Sequence, residues 1–222
     1  MEDISAASAA IFELKNSLTP VNLLPLDVLL LIPTHLPSLK DRLQATFVCR
    51  HWRRAFVQHT QLWSQLYVTE ETDHHLLTTL LERAKQFPLD ITLHYSGFPI
   101  PHVSLLSPFA QQIGNSTVEN ACEVDIQNLS AAISGPLPLL NTLNIHDNGI
   151  SYRSPSRSVN HPTLSLFHGA VNVKKFVLRT CSASFMSRFT FQNLTTFDLL
   201  GGRDNYSTCL LLNFLEASPS LQ

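Results

Sequence analysis

The spacing of apolar residues changes near residue 88, dividing the chain into a helical first part and a mixed second part. Over residues 1–19, Ile4, Ile11 and Leu18 recur at a helical spacing among small residues, which predicts a short helix or a frayed tail. From Pro20 the pattern sharpens. Pro25 fits a first helical turn, where its missing N–H is no loss. Val28, Leu29, Ile32 and Leu36 then give one apolar face. Pro37-Ser38 breaks the chain, and Ser38 or Asp41 can cap a second helix through Leu43, Phe47 and Val48. That helix, or a third after a short bend, continues through Trp52, Ala55 and Phe56. Leu62-Trp63 and Leu66 follow, with Tyr67-Val68 as a short strand. Thr72-Asp73 starts a helix with a stripe of Leu76, Leu77, Leu80, Leu81 and Ala84, which Pro88 ends. Residues 89–95 alternate apolar and polar, the signal of a strand.

Beyond residue 100 an L-x-x-L-x-L skeleton recurs. It stands at Leu140-x-x-Leu143-x-Ile145, at Val173-x-x-Phe176-x-Leu178 and at Leu194-x-x-Phe197-x-Leu199. Ile113, Ser116 and Val118 form a weaker earlier copy, and Leu221 opens another. The starts are separated by 27, 33, 21 and 27 residues, close to the period of leucine-rich repeats, about 20–29 residues. Between them, Ile126, Leu129 and Ile133 predict a short helix stopped by Gly135-Pro136, and Leu211, Leu212 and Leu215 predict another stopped by Pro219. Residues 147–163 hold turn formers without periodicity and read as an exposed insertion. Because the copy at Leu221 stops one residue later, the series is expected to be cut short, leaving Leu211, Leu212, Phe214 and Leu215 partly exposed.

Composition narrows the function classes. A formal net charge of −2 gives no global pull toward nucleic acid or an anionic membrane. The chain opens with acidic Glu2-Asp3 rather than a basic secretory start, and holds no run of about 18 apolar residues. Cys49, Cys122, Cys181 and Cys209 are far apart and read as reduced, mostly buried thiols. The ten histidines lack zinc-type spacing, and neighbouring His74 and His75 point in different directions on a helix. Nothing resembles a nucleophile elbow, a paired base or a phosphate loop. Lys40, Arg42, Arg50, Arg53 and Arg54 form a local basic cluster, read either as a solvated helix face or as steering toward an acidic partner.

One stretch carries a specific pattern. It opens with Leu24-Pro25 and a carboxylate at Asp27, continues through Val28, Leu29 and Ile32 to Leu36-Pro37, and closes in Val48-Cys49-Arg50-His51-Trp52 and Leu62-Trp63. This stretch resembles the F-box. Pro33 stands where many F-boxes have Phe, and is expected to remove a backbone hydrogen bond and kink the first helix. The rest of the chain, in segments such as residues 80–85, 134–140 and 214–219, resembles basidiomycete F-box proteins with degenerate leucine-rich repeats.

The resemblance implies an α+β fold: an N-terminal tail or short helix (1–19), a three-helix F-box domain (20–68), a linking helix and strand (69–99), and degenerate leucine-rich repeats (100–222) forming an irregular solenoid with parallel strands. It implies a substrate-receptor subunit of an SCF-type cullin ubiquitin ligase. The partners would be the small adaptor subunit, through it a cullin, and a target protein. The alternatives are an F-box scaffold acting outside a ligase and an inactive, truncated family member. The adaptor contacts or their direct support would be Leu24, Pro25, Val28, Leu29, Ile32, Leu36, Val48, Cys49 and Trp52. Alternation along the repeat strands places Thr142, Asn144, His146, Lys175, Val177, Arg179, Thr196, Asp198 and Leu200 on an open face, read as an ordinary solvated sheet or as the target-binding surface. No catalysis, cofactor, metal, nucleic acid or membrane is expected, and the location would be cytoplasmic, nuclear or both.

Overall fold

The computed structural model describes residues 2–36, 38–133, 135–146, 167, 170–179, 189–201 and 208–221. They fall into two compact units, Met1–Trp63 with Arg83–Lys85, and Ser64–Glu82 with Gln86–Gln222.

The first unit is helical. It holds α1 (Glu2–Ser17), a 3-10 turn (Pro20–Leu23), α2 (Leu26–Thr34), α3 (Leu39–Ala45), α4 (Arg50–Gln58) and a second 3-10 turn (Thr60–Trp63). Ser38 caps α3: its hydroxyl accepts from the Asp41 N–H at 3.1 Å and donates to the Asp41 carboxylate at 2.6 Å. Cys49 is extended, so α3 and α4 are separate helices. Pro33 is buried in the last turn of α2, where the helix is already ending. The core holds Leu29, Ala45, Trp52, Phe56, Leu62 and Trp63. The Trp52 and Phe56 rings meet edge to face at 5.2 Å, and Trp63 Nε1 donates to the Phe56 carbonyl at 3.2 Å. Arg42 is also buried, and its Nη1 donates to the Leu62 carbonyl at 2.6 Å.

The second unit is built on six parallel strands hydrogen-bonded in chain order: β1 (Gln65–Val68), β2 (Leu89–His94), β3 (Ile113–Glu119), β4 (Thr142–His146), β5 (Lys175–Arg179) and β6 (Thr196–Leu200). Parallel neighbours need crossovers. These contain α5 (His74–Ala84) after β1, a 3-10 segment (Val103–Gln112) after β2 and α6 (Glu123–Ala132) after β3, while α7 (Thr208–Glu216) follows β6. Asp73 caps α5 by accepting from the Leu76 N–H at 2.9 Å.

Register shows why the sheet is longer than the skeleton count suggests. Leu66, Ile91, Ser116, Leu143, Phe176 and Phe197 lie across from one another, at intervals of 25, 25, 27, 33 and 21 residues. Trp63-x-x-Leu66-x-Val68 is itself a skeleton copy. In β2 the copy is one residue short, because Leu89 pairs with Ile113 while Asp90 pairs with Asn115. Gly114 is the extra residue of that bulge, and a Cβ there would sit 3.4 Å from Pro88 Cβ. The sheet therefore begins at Gln65 and takes in the strand of residues 89–94, which the sequence places in a link.

A hydrogen-bond ladder runs beside the skeleton. In the last three copies the residue before the first apolar position reaches the preceding copy: Asn172 Nδ2 donates to the Pro138 carbonyl at 2.7 Å, Asn193 Nδ2 to the Val171 carbonyl at 2.8 Å and Ser220 Oγ to the Gln192 carbonyl at 3.1 Å. Ser220-Leu221 thus occupies the place that opens each earlier copy.

Side chains alternate across the strands. Leu66, Val68, Ile91, Leu93, Val118, Leu143, Ile145, Phe176 and Leu178 are buried, as are Leu77, Leu80, Leu81, Leu106, Ala110, Ile126 and Leu129 from the crossovers. Phe176 contacts the rings of Phe189, Phe191, Phe197 and Phe214 at 4.9–6.1 Å. Phe197 and Leu199 on β6 are only half-buried, since β6 is an edge strand of the described sheet. Leu211, Leu212 and Leu215 are partly exposed as expected, whereas Phe214 is buried against Phe176 and Phe197. The insertion at 147–163 lies outside the described residues.

Candidate functional site

Two surfaces stand out, one in each unit. The first follows from the composition of α2, which is apolar nearly all round. Two short helices cannot cover every side of it. Leu29 and Pro33 face the core, while Leu26, Val28 and Leu31 remain exposed. The turn after α3 adds Phe47, 70% exposed, and Val48, 58% exposed, and the turn before α2 adds Leu23 and Leu24. Phe47 is held outward: the Arg53 guanidinium lies 5.4 Å from its ring centroid, and Arg53 Nε donates to the Thr46 carbonyl at 3.1 Å. A cluster of exposed apolar side chains of this size marks an interaction surface.

Of the residues singled out in the sequence, Leu24, Pro25, Val28 and Val48 are exposed, and Ile32, Leu36 and Cys49 are half-buried. Leu29 and Trp52 are buried and support the surface from beneath. Trp52 Nε1 donates to Asn22 Oδ1 at 2.7 Å, and Asn22 Nδ2 donates to the Asn16 carbonyl at 2.7 Å, which ties the first 3-10 turn to α4. The Cys49 sulfur lies 4.0 Å from the same Asn22 oxygen. Sequence reasoning missed Leu26, Leu31 and Phe47, although Leu31 lies three residues after Val28 and so on the same helical side.

The basic cluster is not one solvated face. Arg42 points inward, and burial lowers the pKa of its guanidinium. Arg50 pairs with Glu13 at 2.7 Å and Arg53 is engaged at Thr46 and Phe47.

The second surface is the open face of the sheet. Its rows follow the register: Thr142, Lys175 and Thr196; Asn144, Val177 and Asp198; His146, Arg179 and Leu200. Lys175, Arg179, Thr196 and Leu200 are exposed, and Thr142, Asn144, His146 and Asp198 are half-buried. Val177 lies in the open-face row but is buried, so it does not offer the free contact expected of it. Asn144 Nδ2 donates to Thr117 Oγ1 at 3.1 Å, and Lys175 Nζ lies 4.0 Å from the Asp198 carboxylate.

The same rows extend onto strands that the sequence did not assign to this face. Tyr67 stacks on His94 at 6.0 Å, His94 Nδ1 lies 3.3 Å from Glu119 Oε2, and Asn120 Nδ2 approaches His94 Nε2 at 3.4 Å. Glu119 is in register with His146. Burial lowers the pKa of the His146 imidazole, and Arg179 adds to the effect while Glu119 opposes it. The result is a polar, mixed-charge strip with one aromatic end.

Elsewhere, burial and the neighbouring Asp125 push the Cys122 thiol up, away from thiolate reactivity. The His74 ring lies edge-on to both His75 and His102 at 5.3–5.4 Å, so the two neighbours do meet. Among the described residues no group of three or more His, Cys, Asp or Glu could hold a metal ion, and no helix is long and apolar enough to cross a membrane.

No curated protein and no solved structure matches this chain. Residues 21–69 match the F-box-like family model, which covers the first 3-10 turn, α2 to α4 and β1 and supports an F-box protein.

Proposed function

We propose that this chain is the substrate-receptor subunit of an SCF-type cullin ubiquitin ligase. The apolar surface around α2 docks on the small adaptor subunit and through it on a cullin. The open face of the sheet holds a target protein. One observation carries the reading: the F-box-like match at residues 21–69 coincides with the segment that keeps Leu24, Leu26, Val28, Leu31, Phe47 and Val48 outside its own core. The second unit is read as an irregular leucine-rich solenoid. Its chain-order parallel strands, intervals of 21–33 residues and hydrogen-bond ladder support this. The receptor itself performs no chemistry; it raises the effective concentration of the target near the catalytic module. It works in the cytoplasm, the nucleus or both.

The test is affinity purification with adaptor and cullin as the readout. A Phe47→Ala, Val48→Ala double variant should bind the adaptor more weakly by about 2 kcal/mol, roughly thirty-fold, with an unchanged melting midpoint. Adaptor binding at wild-type strength would sink the docking assignment. Adaptor complexes that never contain a cullin would transfer the reading to a scaffold outside the ligase.

A further inference from the structure

Charge is distributed unevenly along the sheet. Residues 65–73, 89–99 and 113–122 make β1 to β3 and the turns that leave them. They hold the carboxylates of Glu70, Glu71, Asp73, Asp90 and Glu119, and no lysine or arginine. Residues 173–179, around β5, hold Lys174, Lys175 and Arg179 and no carboxylate. Alternation along the strands puts Asp90 and Glu119 on the open face together with Tyr67, so one half of that face is acidic.

Within the acidic half, one ring and one carboxylate stand side by side. Tyr67 is 56% exposed although one side of its ring stacks on His94. Beyond His94, Glu119 is fixed in place. Its Oε2 lies 3.3 Å from His94 Nδ1, and Asn120 Nδ2 lies 3.4 Å from His94 Nε2. An imidazole that accepts from Asn120 at Nε2 carries its proton on Nδ1 and donates it to Glu119. This arrangement orients the carboxylate without cancelling its charge. The Glu119 side chain keeps a relative exposure of 34%. Glu70 adds a second negative charge: the Ser96 hydroxyl donates to its Oε1, while its Oε2 has no donor among the described residues. Burial raises the pKa of the Tyr67 phenol, and Glu119 and Glu70 raise it further, so both carboxylates are felt at the ring.

An open aromatic ring near an oriented carboxylate is complementary to a cation with a flat face. A bare metal ion does not suit it, because no three His, Cys, Asp or Glu among the described residues gather as ligands. A guanidinium meets both groups: its plane stacks on the ring, and its fork of N–H donors pairs with the carboxylate. An ammonium is a point charge that cannot stack. We infer that the acidic half of the open face binds an arginine side chain of the target protein, stacked on Tyr67 and paired with Glu119. The inference rests on the reading of the open face as the target-binding surface and narrows the target class to segments that present an arginine. The cations around β5 repel the same side chain, which sets the end of the face that it meets.

The test titrates the isotope-labelled full chain with a short probe, acetyl-Gly-Ser-Arg-Ser-Gly-amide, and follows amide shifts by two-dimensional NMR. Shifts at Tyr67, His94 and Glu119 should saturate with a Kd of about 1 mM. Citrulline in place of the probe's arginine keeps the shape without the charge and should weaken binding about ten-fold. Lysine in its place should weaken binding about three-fold. Glu119→Gln keeps an acceptor for His94 and should weaken the arginine probe about ten-fold. Tyr67→Leu should weaken it about five-fold. Asp198→Asn, at the far end of the face, should leave it unchanged. The spectra also report whether each variant is folded, and the citrulline comparison on wild type needs no variant. The inference is overturned if no shift saturates, if the shifts fall elsewhere, if citrulline or lysine binds as tightly as arginine, or if Asp198→Asn costs as much as Glu119→Gln. Adaptor binding by the same preparation separates the two readings. Adaptor binding without probe binding defeats this inference alone. Probe binding without adaptor binding defeats the ligase reading and leaves the arginine site standing.

Discussion

In the sheet, neighbouring residues on a strand go to opposite sides. Leu66, Ile91 and Leu143 are buried, while Tyr67, Thr92 and Asn144 lie on the other face. In α2, by contrast, residues of one chemical kind go both ways: Leu29 is fully buried and Leu31 is 57% exposed. The difference lies in the period. A strand with a two-residue period can sort its apolar residues to one side, where the crossover helices cover them. A nine-residue helix that is apolar nearly all round presents more apolar surface than α3 and α4 can cover. What is left over is the surface proposed for docking. From β1 to β5 the sheet's apolar face is covered by its own chain, whereas the helical unit leaves Leu26, Val28 and Leu31 uncovered.

This comparison has a large-effect test. Phe176 lies at the centre of the phenylalanine cluster, and Phe176→Ala should cost about 3–5 kcal/mol of stability by denaturant unfolding. The Phe47→Ala, Val48→Ala variant should lose binding and almost no stability. Equal destabilisation by the two would erase the distinction between a finished and an unfinished core.

A smaller effect separates Arg42 from the rest of the basic cluster. Arg42→Ala should destabilise the helical unit by about 1–3 kcal/mol, since it orphans the buried Leu62 carbonyl. Arg54→Ala, at an exposed position, should be neutral. Near-ultraviolet circular dichroism from Trp52 and Trp63 follows this unit. Matching losses from both substitutions would return Arg42 to the solvated face.

The smallest effect is a pH dependence of the sheet. His146 is held neutral, with a pKa below the ordinary 6.5. As pH falls below 6.5 the unfolded chain takes the proton first, so this contribution is present above 6.5 and is lost toward acid. Solvent screens the half-exposed ring, so the change is small. Between pH 7 and pH 5 the wild type should lose slightly more thermal stability than His146→Gln. Parallel pH curves would show that Arg179 and burial do not govern this ring.

Much of the local structure was legible because it rests on near neighbours in sequence. Ser38 and Asp73 cap the helices they precede, Pro88 lies beyond the end of α5, and the three clear skeletons became β4, β5 and β6, parallel and adjacent. The F-box-like stretch was legible for the same reason, as a fixed pattern of residue types at fixed spacings.

Other features depended on what lies across from each residue. β2 was seen as a strand but not as a repeat member, because its skeleton is one residue short and only the bulge at Gly114 restores the register. β1 was seen as a short strand at Tyr67-Val68 but not as a repeat member, because the motif used Trp63 and Leu66 for another purpose. With those two strands went Tyr67 and His94, which complete the open face. Sequence alone determined which residues are apolar and with what period, since both are properties of a short stretch of chain. Tertiary structure decided which side of an apolar helix is covered, that Arg42 turns inward and that Val177 is closed off, because burial is set by neighbours distant in sequence.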